Sequence, residues 1–317
     1  MSILRGRLRL NSDYIILHDY PQSPVSEKVR VVFGVKGLNW KSVEIPRLPP
    51  KPNLMPLTGG YRLTPVMQIG ADIFCDTKCI IHELDRRFPD PPLIPRGSTS
   101  LLWGLMQWTD GPLLQDILSI SLVEMSNSIS QEFLNDRGPL YFGSGFSLDE
   151  LKEKYSDCLA NVRTQFGWVN DGLKSSNFFL GGEPCLADAL IYYLVWFLRD
   201  RMKEGDLFLQ QFPYLEAWEK RVKALGHGSS ESLSDTKALE IARISEVKTP
   251  EETDMSSPLG LLVGDSVVIE PDSGGQQVEG VLHRLSSDSI SILRQDQKVG
   301  QVCVHFPILG YSVKVLK

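Results

Sequence analysis

The chain has 317 residues, enough for two or three domains. Hydrophobic residues make up 42 % and charged residues 23 %, an ordinary globular balance, and the net charge of -6 argues against a general nucleic-acid binder, which needs a basic face to displace counterions. No apolar run approaches the roughly 20 residues that a membrane span requires.

The first ten residues, MSILRGRLRL, are basic but lack a long apolar core behind them. They are expected to be a short disordered arm or an appended remnant rather than a secretory signal. From Tyr14 to about Pro95 short β-like runs alternate with helical ones. DYIILHDY is an apolar β-rich run, and PVSEKVRVVFGVKG follows with Val25, Val29 and Val32 at helical spacing and Gly37 as a stop. WKSVEIP alternates like a strand. TPVMQIGADIFCD is expected to make two strands around a turn at Gly70-Ala71-Asp72, and TKCIIHELDRRF an amphipathic helix that ends before Pro89. The order strand, helix, strand, strand, strand, helix defines a small α/β domain over 13–95.

Residues 96–247 are expected to be all-helical. SLDELKEKYSDCLANVRTQFGWVNDGLK carries Leu148, Leu151, Tyr155, Leu159, Val162 and Phe166 three or four apart. CLADALIYYLVWFLRDR is apolar on nearly all sides and fits a central buried helix. FPYLEAWEKRVKALG follows, and LSDTKALEIARI is expected to close the bundle. The polar, proline-containing stretch over 248–258 is expected to be a linker. Over 259–317 the pattern turns to β: LLVGDSVVIEP, VEGVLHRLS, SISILR, GQVCVHFP and GYSVKVLK predict five short strands and a small barrel.

The five cysteines, Cys75, Cys79, Cys158, Cys185 and Cys303, are odd in number and scattered. Cys75 and Cys79 are four apart, which is not a redox CxxC spacing, so reduced thiols in a cytoplasmic protein are expected.

The segment YPQSPVSEKVRVVFGVKGL contains a helix start. Pro24 suits the first helical position, which makes Ser23 the N-cap, its oxygen accepting from a free backbone N–H. Capping alone accounts for Ser23. The same geometry also favours an anion such as a thiolate, because a helix N-terminus offers free N–H donors and partial positive charge. A thiol with a pKa near 8.5 is only about 3 % ionised at pH 7. Lowering that by roughly 2 units takes about 2.7 kcal/mol. A hydroxyl donating to the sulfur supplies on the order of 1.5–3 kcal/mol. The helix end adds roughly 0.3–1 kcal/mol. The two together reach the required size.

SPVSEKVRVVFGVKGL, then GGYRLTPVMQIGADIFCDT, then an amphipathic helix and an all-helical domain, resemble the glutathione transferase superfamily over about residues 14–245. The resemblance implies a thioredoxin-like domain followed by a helical bundle, with glutathione as co-substrate. It places Ser23 where serine-type classes keep their catalytic residue. It implies a cis peptide at Thr64-Pro65, with the Thr64 backbone meeting the cysteinyl part of glutathione. Asp76-Thr77 matches the acid–hydroxyl pair that grips the γ-glutamyl end; helix capping by Asp76 is the structural alternative. Lys51 lies about where related enzymes place a lysine for the glycyl carboxylate, although a solvated loop lysine fits equally well. Ser26 and Tyr20 rival Ser23 for the sulfur, and Tyr61 and Arg62 lie before the cis-proline motif. Trp103, Met106, Gln107 and Asp110 are candidates for the second-substrate pocket, against ordinary core or dimer contacts.

EPCLADALIYY matches the family's buried capping-box helix, with Asp188 structural and Cys185 in place of the usual hydroxyl, a weaker acceptor. Residues 259–317 resemble an extension found on a bacterial and fungal subgroup; the resemblance implies no activity for it, and a packing or interaction module is expected, covering the site or extending a dimer interface. Cys303 and His305 share one strand face there, but two possible ligands without a third do not define a metal site, and no metal is expected. The chain is thus expected to be a glutathione transferase that attacks a small electrophile and acts as a homodimer, without nucleic-acid or membrane partners. A glutathione-dependent isomerase or ether-cleaving lyase would use the same residues. A non-catalytic ligand-binding or scaffold protein would keep the fold alone.

Overall fold

The computed structural model describes residues 14–248, 256–272 and 274–316. The expected N-terminal arm and most of the expected linker lie outside the described residues. In chain order the first elements are β1 (Ile16–Asp19), α1 (Pro24–Val35), β2 (Asn39–Glu44), α2 (Met55–Thr58), β3 (Val66–Ile69), β4 (Asp72–Cys75) and α3 (Thr77–Arg87). Helices follow: α4 (Thr99–Asp110), α5 (Pro112–Met125), α6 (Gln131–Phe142), α7 (Leu148–Glu153), α8 (Tyr155–Gly172), α9 (Leu186–Arg201), α10 (Gly205–Leu209) and α11 (Pro213–Leu225). The chain ends with β5 (Ser229–Ser232), α12 (Asp235–Ile244), β6 (Ser266–Pro271), β7 (Val278–Leu285), β8 (Ser289–Asp296), β9 (Gly300–Pro307) and β10 (Tyr311–Val315).

Two compact units interleave along the sequence. Of the described residues, one holds Tyr14–Tyr20, Trp40–Ile80 and those from Ser230 onward; the other holds Pro21–Asn39 and Ile81–Ser229.

The first unit is built on one sheet of order β10-β6-β7-β8-β9-β4-β3-β1-β2-β5 among the described residues. β1 runs parallel to β2 and antiparallel to β3, and β3 and β4 form a hairpin across Gly70-Ala71, where Gly70 takes a φ of 62°. This is the strand arrangement of a thioredoxin-like domain. The expected C-terminal β extension is present as β6–β10, with antiparallel neighbours. Among the described residues its strand β9 is not paired with β10. It pairs in parallel with β4, so the extension continues the thioredoxin-like sheet.

The helix α12 departs from expectation. Its apolar face (Ala238, Leu239, Ile241, Ala242) shares one core cluster with Val43, Val267 and Val304 of the sheet, not with the bundle. Gln68 of β3 fastens it, donating to the Ala238 carbonyl at 2.9 Å. The Gln68 side chain is itself hydrogen-bonded to buried His18, whose pKa burial lowers to about 4, so this imidazole is neutral and structural.

In the second unit α9 is buried without a break from its cap Cys185 to Val195, as its all-round apolar pattern predicts. α1, α4, α5 and α11 pack against it. The long pattern from Leu148 divides at Lys154 into α7 and α8. At the head of α9, Asp188 accepts from the Cys185 N–H at 2.9 Å and the thiol faces the Asp188 N–H, so both halves of the capping box are present. Asp188 also accepts from the Phe179 N–H at 2.9 Å and from Trp218 Nε1 at 2.7 Å. None of the five cysteines is in a disulfide, and all five are buried.

Candidate functional site

Ser23 is the N-cap of α1, with extended backbone and Pro24 following. Its Oγ accepts from the Ser26 N–H at 3.2 Å. The hydroxyl proton has no acceptor among the described residues, and the residue is 2 % exposed. One lone pair therefore serves the helix while the proton stays available. The helix ends in a Schellman arrangement: Gly37, at φ 61°, donates to Gly34 O and Leu38 donates to Phe33 O.

Arg30, two turns into α1, folds back onto the cap. It donates to the carbonyl oxygens of Pro21 at 3.0 Å and Ser23 at 3.4 Å, and to Glu27 at 2.8 Å. His227 Nε2 lies 2.9 Å from the other oxygen of Glu27. Burial pushes the Glu27 carboxyl up, but His227 and Arg30 outweigh it and hold it below the ordinary value. An acid in the first turns of α1 is thus compensated locally. Neither Arg30 nor His227 was marked by sequence pattern; the fold-back lies within reach of one helix, but His227 is 200 residues from Glu27.

Ser26, one turn on, is fully buried and its Oγ lacks any hydrogen-bond partner among the described residues. On α4, Trp103 is half-buried, Gln107 is exposed one turn later, and Met106 is core. Asp110 is structural: it pairs with the fully buried Lys28 ammonium of α1 and accepts from Tyr193 Oη at 2.8 Å.

In the first unit the Thr64–Pro65 bond is cis and leads into β3. Lys51 is not a solvated loop lysine. It is 2 % exposed, and its Nζ donates to Arg62 O at 2.9 Å and Thr64 Oγ1 at 3.0 Å, bracing the turn before Pro65. The Tyr20 ring lies beneath it, with the Lys51 ammonium 5.8 Å and the Arg47 guanidinium 5.9 Å from its centroid.

Asp76 stands between β4 and α3 with a φ of 72°, a left-handed conformation that Asp tolerates better than most residues. Its Oδ1 accepts from the Lys78 N–H at 2.9 Å, capping α3, and buried Thr77 opens the helix. Its Oδ2 accepts from Tyr311 Oη of β10 at 3.3 Å. Tyr61 is buried beside Asp76 and Tyr311. Burial and the Asp76 charge push both phenols well above their ordinary pKa, so both stay protonated. Phe306 packs edge-on against Tyr61, with centroids 5.8 Å apart, and lies 5.5 Å from Tyr311.

Comparison with known proteins follows this architecture. The family profile "Glutathione S-transferase, N-terminal domain" matches residues 17–92, and "Glutathione S-transferase, C-terminal domain" matches 152–221. The crystal structure of a GST-like protein from Pseudomonas syringae is 32 % identical with a TM-score of 0.74, over 96 % of this chain and 100 % of that one. The chain belongs to the glutathione transferase superfamily. It is a glutathione transferase-like enzyme, and this family uses glutathione. The 96 % coverage takes in the C-terminal strands as well, so the transferase shares its extension with the Pseudomonas protein. FzlA from C. crescentus (20 % identical, TM-score 0.52, over 67 % of this chain and 88 % of that one) shares the fold. So does a glutathione S-transferase from Rhodospirillum rubrum F11 (16 %, TM-score 0.53, 78 % and 100 %). A search of curated proteins returns no match. No helix among the described residues of the transferase is long and apolar enough to cross a membrane.

Proposed function

We propose that this transferase activates glutathione by holding its sulfur as the thiolate on the Ser23 hydroxyl, and that the sulfur attacks an electrophilic carbon of a small molecule. The observation that carries this reading is the division of labour at Ser23: its oxygen caps α1 while its proton is unspent, at a helix end that favours an anion. The Thr64 backbone takes the cysteinyl part of the tripeptide in strand fashion. Asp76 takes the γ-glutamyl ammonium, since a carboxylate has acceptor capacity left after two hydrogen bonds. Thr77 and the first N–H groups of α3 take the γ-glutamyl carboxylate. The Lys51 ammonium, held at Thr64, takes the glycyl carboxylate, and Tyr20 supports it. Trp103 and Gln107 contact the electrophile. The working form is a cytoplasmic homodimer, and five cysteines without a disulfide are in keeping with a reducing compartment.

The test is Ser23→Ala beside Ser26→Ala. The absorbance of enzyme-bound glutathione thiolate against pH should shift upward by about 1–2 units in Ser23→Ala alone. Conjugation to an activated aryl halide at pH 6.5 should fall on the order of 10–100-fold. A loss in Ser26→Ala with Ser23→Ala unaffected transfers the role to Ser26. Tight glutathione binding without turnover of any electrophile in the wild type overturns the enzymatic reading.

A further inference from the structure

Cys303 and His305 are two residues apart on β9, so their side chains leave the sheet on the same face. The parallel register sets Asp72 of β4 opposite Cys303, which adds a third side chain to that face. A carboxylate oxygen of Asp72, the Cys303 Sγ and an imidazole nitrogen of His305 all lie within 4.8 Å of one another. His305 Nε2 is 3.0 Å from Asp72 Oδ1. One register step along, the His305 ring stacks flat on Phe74, with centroids 4.4 Å apart and 10° between planes, which fixes the direction of its nitrogens. Asp72 and Cys303 are 5 % and 1 % exposed, whereas the His305 side chain keeps 19 % of its surface.

We propose that Asp72, Cys303 and His305 form a binding site for a divalent transition metal, with zinc the best match, at the seam between the thioredoxin-like sheet and the C-terminal extension. The donor chemistry selects the metal. A thiolate, an imidazole and a carboxylate form a mixed set that zinc accepts, whereas calcium and magnesium require oxygen donors. Two anionic ligands balance a divalent charge, so the complex is neutral and tolerates burial. Zinc ligands at about 2.0–2.3 Å from the metal stand roughly 3.3–3.8 Å apart in a tetrahedron, so side-chain torsions need close the cluster by at most about 1.5 Å. The stacked Phe74 sets the plane of the histidine ring. Three protein ligands with solvent at the His305 side leave the fourth position to water. The site uses none of the residues assigned to glutathione, so it stands or falls independently of that assignment.

The experiment loads the full chain, stripped with chelator and kept free of glutathione, with Zn²⁺ and separately with Co²⁺. The expected result is one equivalent of Zn²⁺ per chain in competition with a chelating dye. Co²⁺ should give tetrahedral visible bands with a thiolate-to-cobalt band in the near ultraviolet. Cys303→Ser should abolish that near-ultraviolet band, and Asp72→Asn should weaken Zn²⁺ binding at least as much as the 10–100-fold typical of losing an outer-shell partner. Zinc-edge X-ray absorption on the wild type needs no variant to fold and should show one sulfur among nitrogen and oxygen neighbours. Failure to retain stoichiometric Zn²⁺, a zinc environment without sulfur, or a cobalt spectrum unchanged in Cys303→Ser overturns the proposal and leaves the cluster as a hydrogen-bonded tie between β4 and β9.

Discussion

Tyr311 of β10 donates its phenol proton to the Asp76 carboxylate at the head of α3, across 3.3 Å and 235 positions of sequence. The C-terminal extension therefore orients the side chain assigned to the γ-glutamyl ammonium. Tyr311→Phe keeps the ring against Phe306 and removes only the hydroxyl. With about 1 kcal/mol of orientation lost, the dissociation constant for glutathione should rise roughly fivefold by isothermal titration, with kcat little changed. An unchanged affinity would mean that Asp76 is held well enough by its bond to the Lys78 N–H.

Asp188 gathers three N–H donors at the head of the buried helix α9. Burial raises its carboxyl above the ordinary value even though Trp218, Cys185 and Phe179 all donate to the charged form. Asp188→Ala leaves those donors unsatisfied, each at about 1–3 kcal/mol, and should cost on the order of 3–5 kcal/mol by urea denaturation. Asp188→Asn keeps one acceptor oxygen for Trp218 and Phe179 but turns an amide toward the Cys185 N–H, so its loss should be smaller. Equal losses in the two variants would place the effect in packing rather than in the acceptors.

What could be read from sequence follows the range of the interactions. Ser23-Pro24 and Gly37 mark both ends of α1 because a cap and a Schellman turn are settled within a few residues. Gly70-Ala71 marks the β3–β4 hairpin for the same reason. The five C-terminal strands were visible in their alternation, but the neighbour of β9 was not, since a parallel pairing between residues 72 and 303 leaves no local trace. That pairing is also what brings Asp72 to Cys303 and His305. The short helix α2 escaped notice because one turn ending at Gly59 has no periodicity to detect. The amphipathic pattern of α12 was correct, but periodicity reports which face is apolar, not which core will cover it. Sequence leaves Lys51 between a ligand for the glycyl carboxylate and a solvated loop lysine, because only the fold turns its ammonium back on Thr64.

Lys28 of α1 is wholly buried, paired with Asp110 of α4, and lies 4.8 Å over the Tyr193 ring. Removing one member of such a pair strands the other. Asp110→Ala leaves an ammonium in the core and should cost about 3–5 kcal/mol. Lys28→Met fills the same space without charge and leaves Asp110 bonded to Tyr193 and part-exposed, so its cost should be well under that. Urea melts of both single variants and of the double variant make the comparison. If Lys28→Met is the more damaging of the two, the pair is not what holds α1 to α4.

Glu27 faces Arg30, His227 and Tyr192, and ionises more readily in the folded chain than its ordinary value of 4.5. Between the folded and unfolded values the unfolded chain binds more protons, so stability rises with pH there. The contribution of Glu27 is complete above about pH 4.5 and is lost as the pH falls through the lower folded value. Glu27→Gln retains one acceptor but turns an amide toward Arg30 or His227, and should lower stability by roughly 1–3 kcal/mol at pH 7. The gap between wild type and variant should then shrink as the pH is taken from 6 to 3. A gap that stays constant over that range would show that the charge of Glu27 contributes nothing, and that Arg30 holds the Ser23 turn through the Pro21 and Ser23 carbonyls alone.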